Sequence, residues 1–415
     1  MSFITNIRSV AKYESKILVR SWFFRIFTLL AVVFLGFFNF AMMLMEDNFG
    51  LWFAKSVSSN IPYLNLLLLN TGQAVVAVFL SSEFLKRDKK LDTSEVFYVR
   101  PLSNAEYVVG KIWGNLRVFL FLNLLVLAIV LAFNFMASGV AVDLPAYLVY
   151  FFLISIPTLI FIIGLSIFLM LLLKNQALTF ILLLGYIGLT LFYIQDKFYY
   201  LFDYMVYNLP LFKSTIVGFS NLELILNHRA IYFFAGLGFI FFTIFLFKRL
   251  PNARRSHYPW LFLSFCMFLL MGTAGFRHVR SILREGEMRA LYTSINNKYV
   301  YEPKMAIDYY DISVEQKSET IRSVVGMEGT ALAASEVFIF CLNPGLRVEE
   351  VKDGEKSLNF KREEQILAVD FGRKIEKGDT ISFSVSYEGR IKDDFCYLDI
   401  PEEVLQQPYD KEMLK

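Results

Sequence analysis

The residues able to do chemistry are few. The 415-residue chain has three histidines, His228, His257 and His278, and three cysteines, Cys266, Cys341 and Cys396. No H-E-x-x-H occurs, so no zinc-hydrolase triad is expected, and no G-x-x-x-x-G-K-[ST] is present to cradle a nucleotide. The expectation is a chain that is not itself an enzyme and holds no metal or cofactor. Charged and helix-capping residues gather instead in residues 86–117, KRDKKLDTSEVFYVRPLSNAEYVVGKIWGNLR. Asp92-Thr-Ser-Glu95 has the spacing of a helix start and leads into Val96, Phe97, Tyr98 and Val99. Pro101 closes that short helix, because the residue before a proline, here Arg100, disfavours the α region. Ser103-Asn-Ala-Glu106 is a second capping box. It should open a helix that passes Lys111 and runs unbroken into the apolar stretch near Arg117. The chemistry of such a segment is mechanical: a short amphipathic helix lies ahead of a rod, and a push on the first moves the second.

The elements around this segment are apolar. The chain is 56% hydrophobic and 19% charged, with mean hydropathy +0.49 and 44 phenylalanines. An ordinary soluble domain carries roughly 25% charge. Disordered, collagen-like and disulfide-scaffold classes are excluded. Residues 1–276 hold 21 Lys/Arg and 12 Asp/Glu, and residues 277–415 hold 20 and 26, so two bodies with different solvents are expected. A spanning helix needs about 20 apolar residues. Seven spans are expected, near 23–45, 61–85, 115–137, 146–173, 176–195, 230–247 and 258–276. Lys174 divides the fourth from the fifth, since a charge at a span centre costs roughly 3 kcal/mol. The fold class is an α-helical polytopic membrane protein followed by an all-β, antiparallel, sandwich-like extracytoplasmic domain.

With the N-terminus inside, the inner segments hold 17 Lys/Arg and the outer ones four, Lys55, Lys197, Lys213 and Arg229. This asymmetry places the N-terminus in the cytoplasm and, after an odd number of spans, the last domain outside. Residues 1–21 read as a basic amphipathic helix on the inner leaflet, with Arg8, Lys12, Lys16 and Arg20 off its apolar face. Gly110-Lys-Ile-Trp-Gly114 fits a small-xxx-small pattern that lets helices approach closely. Pro157 should kink the fourth span. Asn70 and Gln73 sit three apart in the second span and either line a path or bond between helices. Glu95 and Glu106 either cap their helices or meet a partner. No proton-relay chain is present.

The short helix, then Pro-Leu-Ser, an acidic residue, an aromatic and Val-Val-Gly-Lys, resemble the coupling region of type-2 ABC transporter permeases, over roughly residues 1–250. The resemblance implies a permease subunit that pairs with a second permease subunit, homo- or heterodimeric, in a bacterial inner membrane. A separate ATPase subunit would bind ATP and grip the coupling residues Asp92, Glu95, Phe97, Arg100, Pro101, Ser103, Glu106 and Lys111. Membrane lipid is the remaining partner, and no nucleic acid is expected. It also implies short re-entrant outer helices within 196–229, where FYYLFDYMVYNLPLF stands.

From about residue 297 the pattern changes. After a charged linker helix, 277–296, apolar and polar residues alternate in AIDYYDISVEQ, ASEVFIFCLN, LRVEEV, QILAVDF and TISFSVSYEG. Asn343-Pro-Gly345, Asp353-Gly354 and Lys377-Gly378-Asp379 mark turns. A β-domain over 297–400 and a tail over 401–415 are expected. NPGLRVEEV followed by EKGDTISFSVSYEGRI resembles the N-terminal β-domain of the aminopeptidase N family of zinc peptidases, whose catalytic residues have no counterpart here. That resemblance keeps two alternatives open: a membrane-anchored interaction domain, or the front portion of a membrane-tethered aminopeptidase that is inactive as it stands. A disulfide between Cys341 and Cys396 is left open.

Overall fold

The structure is a computed structural model. It describes residues 3–44, 57–82, 102–136, 141–194, 197–209, 211, 213–214, 218–219, 221–247, 258–317, 319–395 and 398. Among the described residues eight helices come first: α1 (Phe3–Arg20), α2 (Trp22–Leu44), α3 (Asn60–Ser82), α4 (Asn104–Met136), α5 (Leu144–Leu173), α6 (Gln176–Ile194), α7 (Leu222–Leu246) and α8 (Tyr258–Lys298). Seven of them, α2 to α8, are long and apolar enough to cross a membrane. Helices are what such sequences must form in an apolar solvent, where every backbone N–H and C=O has to be satisfied internally.

The chain divides into two compact units near Val279 and Arg280. In the first, the core gathers Leu66 and Val78 of α3, Phe119 and Val130 of α4, Ile154 and Ile163 of α5, and Ile225 and Ile244 of α7. α5 crosses α7 closely. A Cβ added at Gly164 would lie 2.7 Å from Gly236 O, and one at Gly236 would lie 2.7 Å from Ile160 O. Small residues at a crossing allow this approach where no hydrophobic drive exists between helices.

Two of the helices carry π-helical turns, Phe151–Ser155 within α5 and Thr190–Ile194 at the end of α6. The first lies just ahead of Pro157. A proline has no N–H, so Pro157 cannot bond the carbonyl four residues back, Leu153 O. Lys174 sits at the end of α5 with φ +55°, in the left-handed region, and Asn175 caps α6 through Leu178 N. The break expected at Lys174 is therefore a two-residue turn. At the far end α8 is one helix of 41 residues. The expected seventh span and linker helix are thus a single element.

The second unit continues with eight strands. β1 (Met305–Lys317), β2 (Thr320–Ala331), β8 (Thr380–Gly389), β4 (Leu346–Asp353) and β5 (Lys356–Ser357) form one antiparallel sheet in that order. β3 (Ser335–Cys341), β7 (Ile366–Ile375) and β6 (Asn359–Glu363) form another. The sheets share one apolar cluster, in which Phe371 of β7 meets Phe338 of β3 and Phe383 of β8 edge-on. Gly354 (φ +61°) and Gly378 (φ +93°) occupy turn positions that L side chains rarely adopt.

Candidate functional site

The N-terminal end of α4 carries the second capping box of segment 86–117. Ser103 N donates to Glu106 Oε2 at 2.6 Å and Glu106 N donates to Ser103 Oγ at 3.2 Å, a reciprocal capping box. Glu106 Oε1 also accepts from Asn6 Nδ2 of α1 at 2.8 Å. From there α1 lies along α4. A Cβ on Gly110 would sit 2.7 Å from Val10 Cβ, and one on Gly114 would sit 2.7 Å from Glu14 Cβ and 2.9 Å from Ala11 O. The small-xxx-small pair is thus the seat of the amphipathic helix.

Polar contacts lock that seat. Lys111 Nζ and Glu14 Oε1 form a buried ion pair at 3.1 Å. Ser15 Oγ donates to Gly114 O at 2.7 Å, and Arg117 donates to Ser15 Oγ and to Ala11 O. The Tyr107 ring stacks on Phe247, just past the end of α7, with centroids 5.5 Å apart. Lys111 thus meets an acid of its own chain, Glu14 of α1. Ser103 and Glu106 do the capping work that their spacing suggested. Asp92, Glu95, Phe97, Arg100 and Pro101 lie outside the described residues.

Farther along α4 is a ring of uncharged polar side chains, all fully buried. Gln73 Nε2 donates to Asn70 Oδ1 at 2.6 Å, and Asn123 Nδ2 donates to Gln73 Oε1 at 2.9 Å. Asn123 Oδ1 accepts from Ser155 Oγ at 2.8 Å and from Asn70 Nδ2 at 3.3 Å. The ring joins α3, α4 and the π turn of α5. Asn70 and Gln73 are thus hydrogen-bonded to side chains of α4 and α5. Asn39 and Asn65 exchange amide hydrogen bonds between α2 and α3 in the same manner.

The third group surrounds the segment between α6 and α7. Re-entrant helices were expected here. The described residues hold one three-residue 3₁₀ turn, Phe198–Tyr200, whose φ angles of +54°, +59° and +62° exclude a right-handed helix. Left-handed backbone at non-glycine residues costs roughly 1–2 kcal/mol each, so the surroundings must impose it. His228 Nε2 bonds Tyr200 O at 3.0 Å, His278 Nε2 bonds Tyr199 O at 2.8 Å, and the Tyr232 hydroxyl donates to Leu201 O. Side chains of α7 and α8 take up carbonyls that a helix would have satisfied itself. Tyr204, Met205, Val206, Leu209 and Leu211 follow as fully buried residues, so the irregular backbone is enclosed by protein.

Arg229 organises this group. The sequence places it among the outer surface charges, yet it sits inside the bundle, 2% exposed. Its Nε donates to Leu153 O at 2.7 Å, the carbonyl that Pro157 leaves unbonded. Its Nη atoms reach Tyr204 O at 2.9 Å and Thr158 Oγ1 at 2.9 Å. Asp203 accepts from Tyr207 N and Asn208 N at 2.9 and 2.8 Å. Burial pushes its carboxyl up to about 6, against the lowering effect of Asn208 N–H and the Arg229 guanidinium. Lys213 pairs with Asp143 ahead of α5, and Tyr150 donates to Leu211 O at 2.5 Å. The sequence reading missed Glu14, Arg229 and Asp203. The signal available was a proline in an apolar run, which demands a donor from elsewhere.

Among the described residues no three His, Cys, Asp or Glu side chains gather as metal ligands. Cys341 is a free thiol, and Cys396 lies outside the described residues. No family model matches the chain, and no curated protein is similar to it. Two crystal structures of mutants of a two-domain M1 zinc metallopeptidase are similar to a part of it. One is bound to L-tryptophan, and the other, from Deinococcus radiodurans, is bound to a Tyr-Ser-Ala substrate. Each is 17% identical, covers 21% of this chain and 21% of its own, and has a TM-score of 0.20. The chain therefore spans about a fifth of the length of these structures.

Proposed function

We propose that the chain is the membrane permease subunit of an ABC-type exporter, paired with a second permease subunit and driven by a separate ATPase that docks on segment 86–117 from the cytoplasm. One observation carries this reading: α1 is seated on the first turns of α4 through Gly110, Gly114 and the buried Glu14–Lys111 pair. The two helices then move as one piece. A force applied next to Ser103 enters a rod of 33 residues that ends beyond the Asn70–Gln73–Asn123–Ser155 ring. The seven apolar helices and the excess of Lys/Arg on alternate connections support the membrane placement, with the strand-rich unit, read as a sandwich, outside.

The test is purification of the tagged chain from its native host in mild detergent. A P-loop ATPase is expected to co-purify, and replacing Asp92–Arg100 by a Gly/Ser segment of equal length should release it while the chain stays in the membrane. If no ATPase accompanies the intact chain, or if it is retained by the Gly/Ser version, the reading fails.

A further inference from the structure

β1 is 13 residues long, at the edge of the five-stranded sheet, where an average strand has about six. From Tyr309 to Lys317 it pairs with β2 without interruption, and no strand among the described residues pairs with its other side. Edges are ordinarily blocked by a proline, a bulge or an inward-pointing charge. The one register shift of β1 precedes Tyr309, the strand has no proline, and its core-side residues Tyr310, Ile312, Val314 and Gln316 carry no charge.

Opposed residues in an antiparallel pair share a face. Tyr310, Ile312 and Val314 oppose Met327, Val325 and Ser323 of β2, which oppose Phe383, Val385 and Tyr387 of β8. In that row Val325, Phe383 and Val385 are 5%, 3% and 3% exposed, whereas Tyr310, Ile312 and Val314 are 53%, 56% and 54% exposed. The apolar layer that fills the core continues onto β1 uncovered.

The apolar stripe and the charges of β1 together select the strand that completes it, since pairing centred on Tyr310 or Val314 would set Ile312 against Asp308 or Gln316 instead of an apolar residue. A one-residue slip inverts every side chain, so core-side residues must oppose core-side residues. An antiparallel second β1 centred on Asp311 sets that carboxylate against itself. Centred on Ser313, it sets Asp311 against Glu315. Centred on Ile312, it opposes Ile312 to itself, Tyr310 to Val314, Asp311 to Ser313 and Tyr309 to Glu315, and no carboxylate faces another.

We propose that two copies of this chain join by antiparallel β1–β1 pairing centred on Ile312, so that two five-stranded sheets become one continuous sheet across a two-fold axis. The pairing buries the Tyr310–Ile312–Val314 stripe of each copy and satisfies both open edges. It does not rest on the permease reading, because neither an ATPase nor segment 86–117 takes part in it; on that reading it makes the second permease subunit a copy of this chain.

The test is disulfide trapping of the full chain in native membranes under mild oxidation. The parent chain, with Cys266, Cys341 and Cys396, supplies the blank. Directly opposed residues have Cα atoms about 4.5–5.5 Å apart, within disulfide reach. Ile312→Cys is expected to shift the chain from 48.1 kDa to a band of twice that mass. Tyr310→Cys and Val314→Cys should each stay monomeric alone, since each lies about 14 Å from its own copy, and should form a dimer when co-expressed. Ile312→Lys added to that pair sets two ammonium groups at the axis and should abolish the band. Val324→Cys, on the opposite face of β2, should give none. If Ile312→Cys stays monomeric, or if Val324→Cys is trapped to the same extent, the proposal is overturned.

Discussion

Gly114→Ala puts the seat of α1 to a quantitative test. In an exposed helix the change would stabilise by about 1 kcal/mol, because alanine loses less backbone entropy. Here the new Cβ falls 2.7 Å from Glu14 Cβ and 2.9 Å from Ala11 O, inside the roughly 3.5–4.0 Å of a favourable carbon contact. Both neighbours are stiff: one is a Cβ on a helix, the other a backbone carbonyl. Relief requires α1 to retreat by about 1 Å, and overpacking of this kind costs about 1–3 kcal/mol. The retreat also stretches the bonds from Ser15 Oγ to Gly114 O and from Arg117 to Ala11 O, both 2.7 Å, each worth about 1 kcal/mol. After the helix-propensity gain is subtracted, about 3 kcal/mol of destabilisation remains. For a chain of this size that is a fall of about 5 °C in the temperature of half-loss. The assay is the folded peak remaining in size-exclusion chromatography after heating in detergent. Gly185→Ala and Gly188→Ala are the controls, since an added Cβ meets nothing within 4 Å at either site. If Gly114→Ala melts with or above these controls, the close seat of α1 on α4 is refuted.

The same heating assay reads changes at three further residues. Arg229→Leu removes the donor to Leu153 O, Tyr204 O and Thr158 Oγ1 and is expected to cost about 3–5 kcal/mol. Arg229→Lys should recover little, because an ammonium lacks the planar fork that reaches three acceptors; full recovery would argue for a plain point charge. Asn123→Leu opens the polar ring, leaving Gln73 Oε1 without this donor and the Ser155 hydroxyl without this acceptor. It should lower stability by about 1–3 kcal/mol, and an unchanged melting temperature would contradict the ring. Asp203, raised by burial to about 6, binds its proton more tightly folded than unfolded. Its contribution to stability is therefore fully present below about pH 4 and lost as pH rises through about 6. Comparing the parent with Asp203→Asn from pH 4 to 7, the parent should lose stability relative to the variant as pH rises; parallel profiles would sink the assignment.

What the sequence displayed and what it hid divide along the range of the interaction. Ser103 and Glu106 were legible because a capping box closes over four residues. Gly110 and Gly114 announced a close approach, but nothing within 86–117 names Val10, Ala11 and Glu14 as what approaches. Lys111 read as a residue for a partner to grip, and its own acid lies on α1, nearly a hundred residues earlier. The segment after α6 misled in another way. FYYLFDYMVYNLPLF is aromatic and apolar, which suits a short helix, yet carbonyl-seeking side chains of His228, His278 and Tyr232 hold Phe198–Tyr200 left-handed. Tertiary bonding overrides local preference there. The strands were legible through their alternation, and the exposed face of β1 was not, because alternation says which residues share a face but not how far the opposing sheet extends.

The polar groups of the helical unit are graded along its helices, and the grading bears on how such a bundle can rearrange. Near the start of α4 stands the charged Glu14–Lys111 pair, and near the start of α7 the charged Arg229 with Asp203 close by. Between them the Asn70–Gln73–Asn123–Ser155 ring is neutral. Separating a buried ion pair leaves two uncompensated charges, at a cost of several kcal/mol. Exchanging amide partners within a membrane bundle costs about 0.6 kcal/mol per bond, because the released groups find new partners. A motion of α4 that keeps α1 seated and Arg229 in place therefore meets its least resistance at the ring. Asn123→Asp applies this ordering to a single site. A carboxyl, with one O–H at most, cannot keep both of the bonds that Asn123 Nδ2 donates, to Gln73 Oε1 and Phe119 O, so the variant should melt below the parent in the heating assay, and an unchanged melting temperature would refute the ordering.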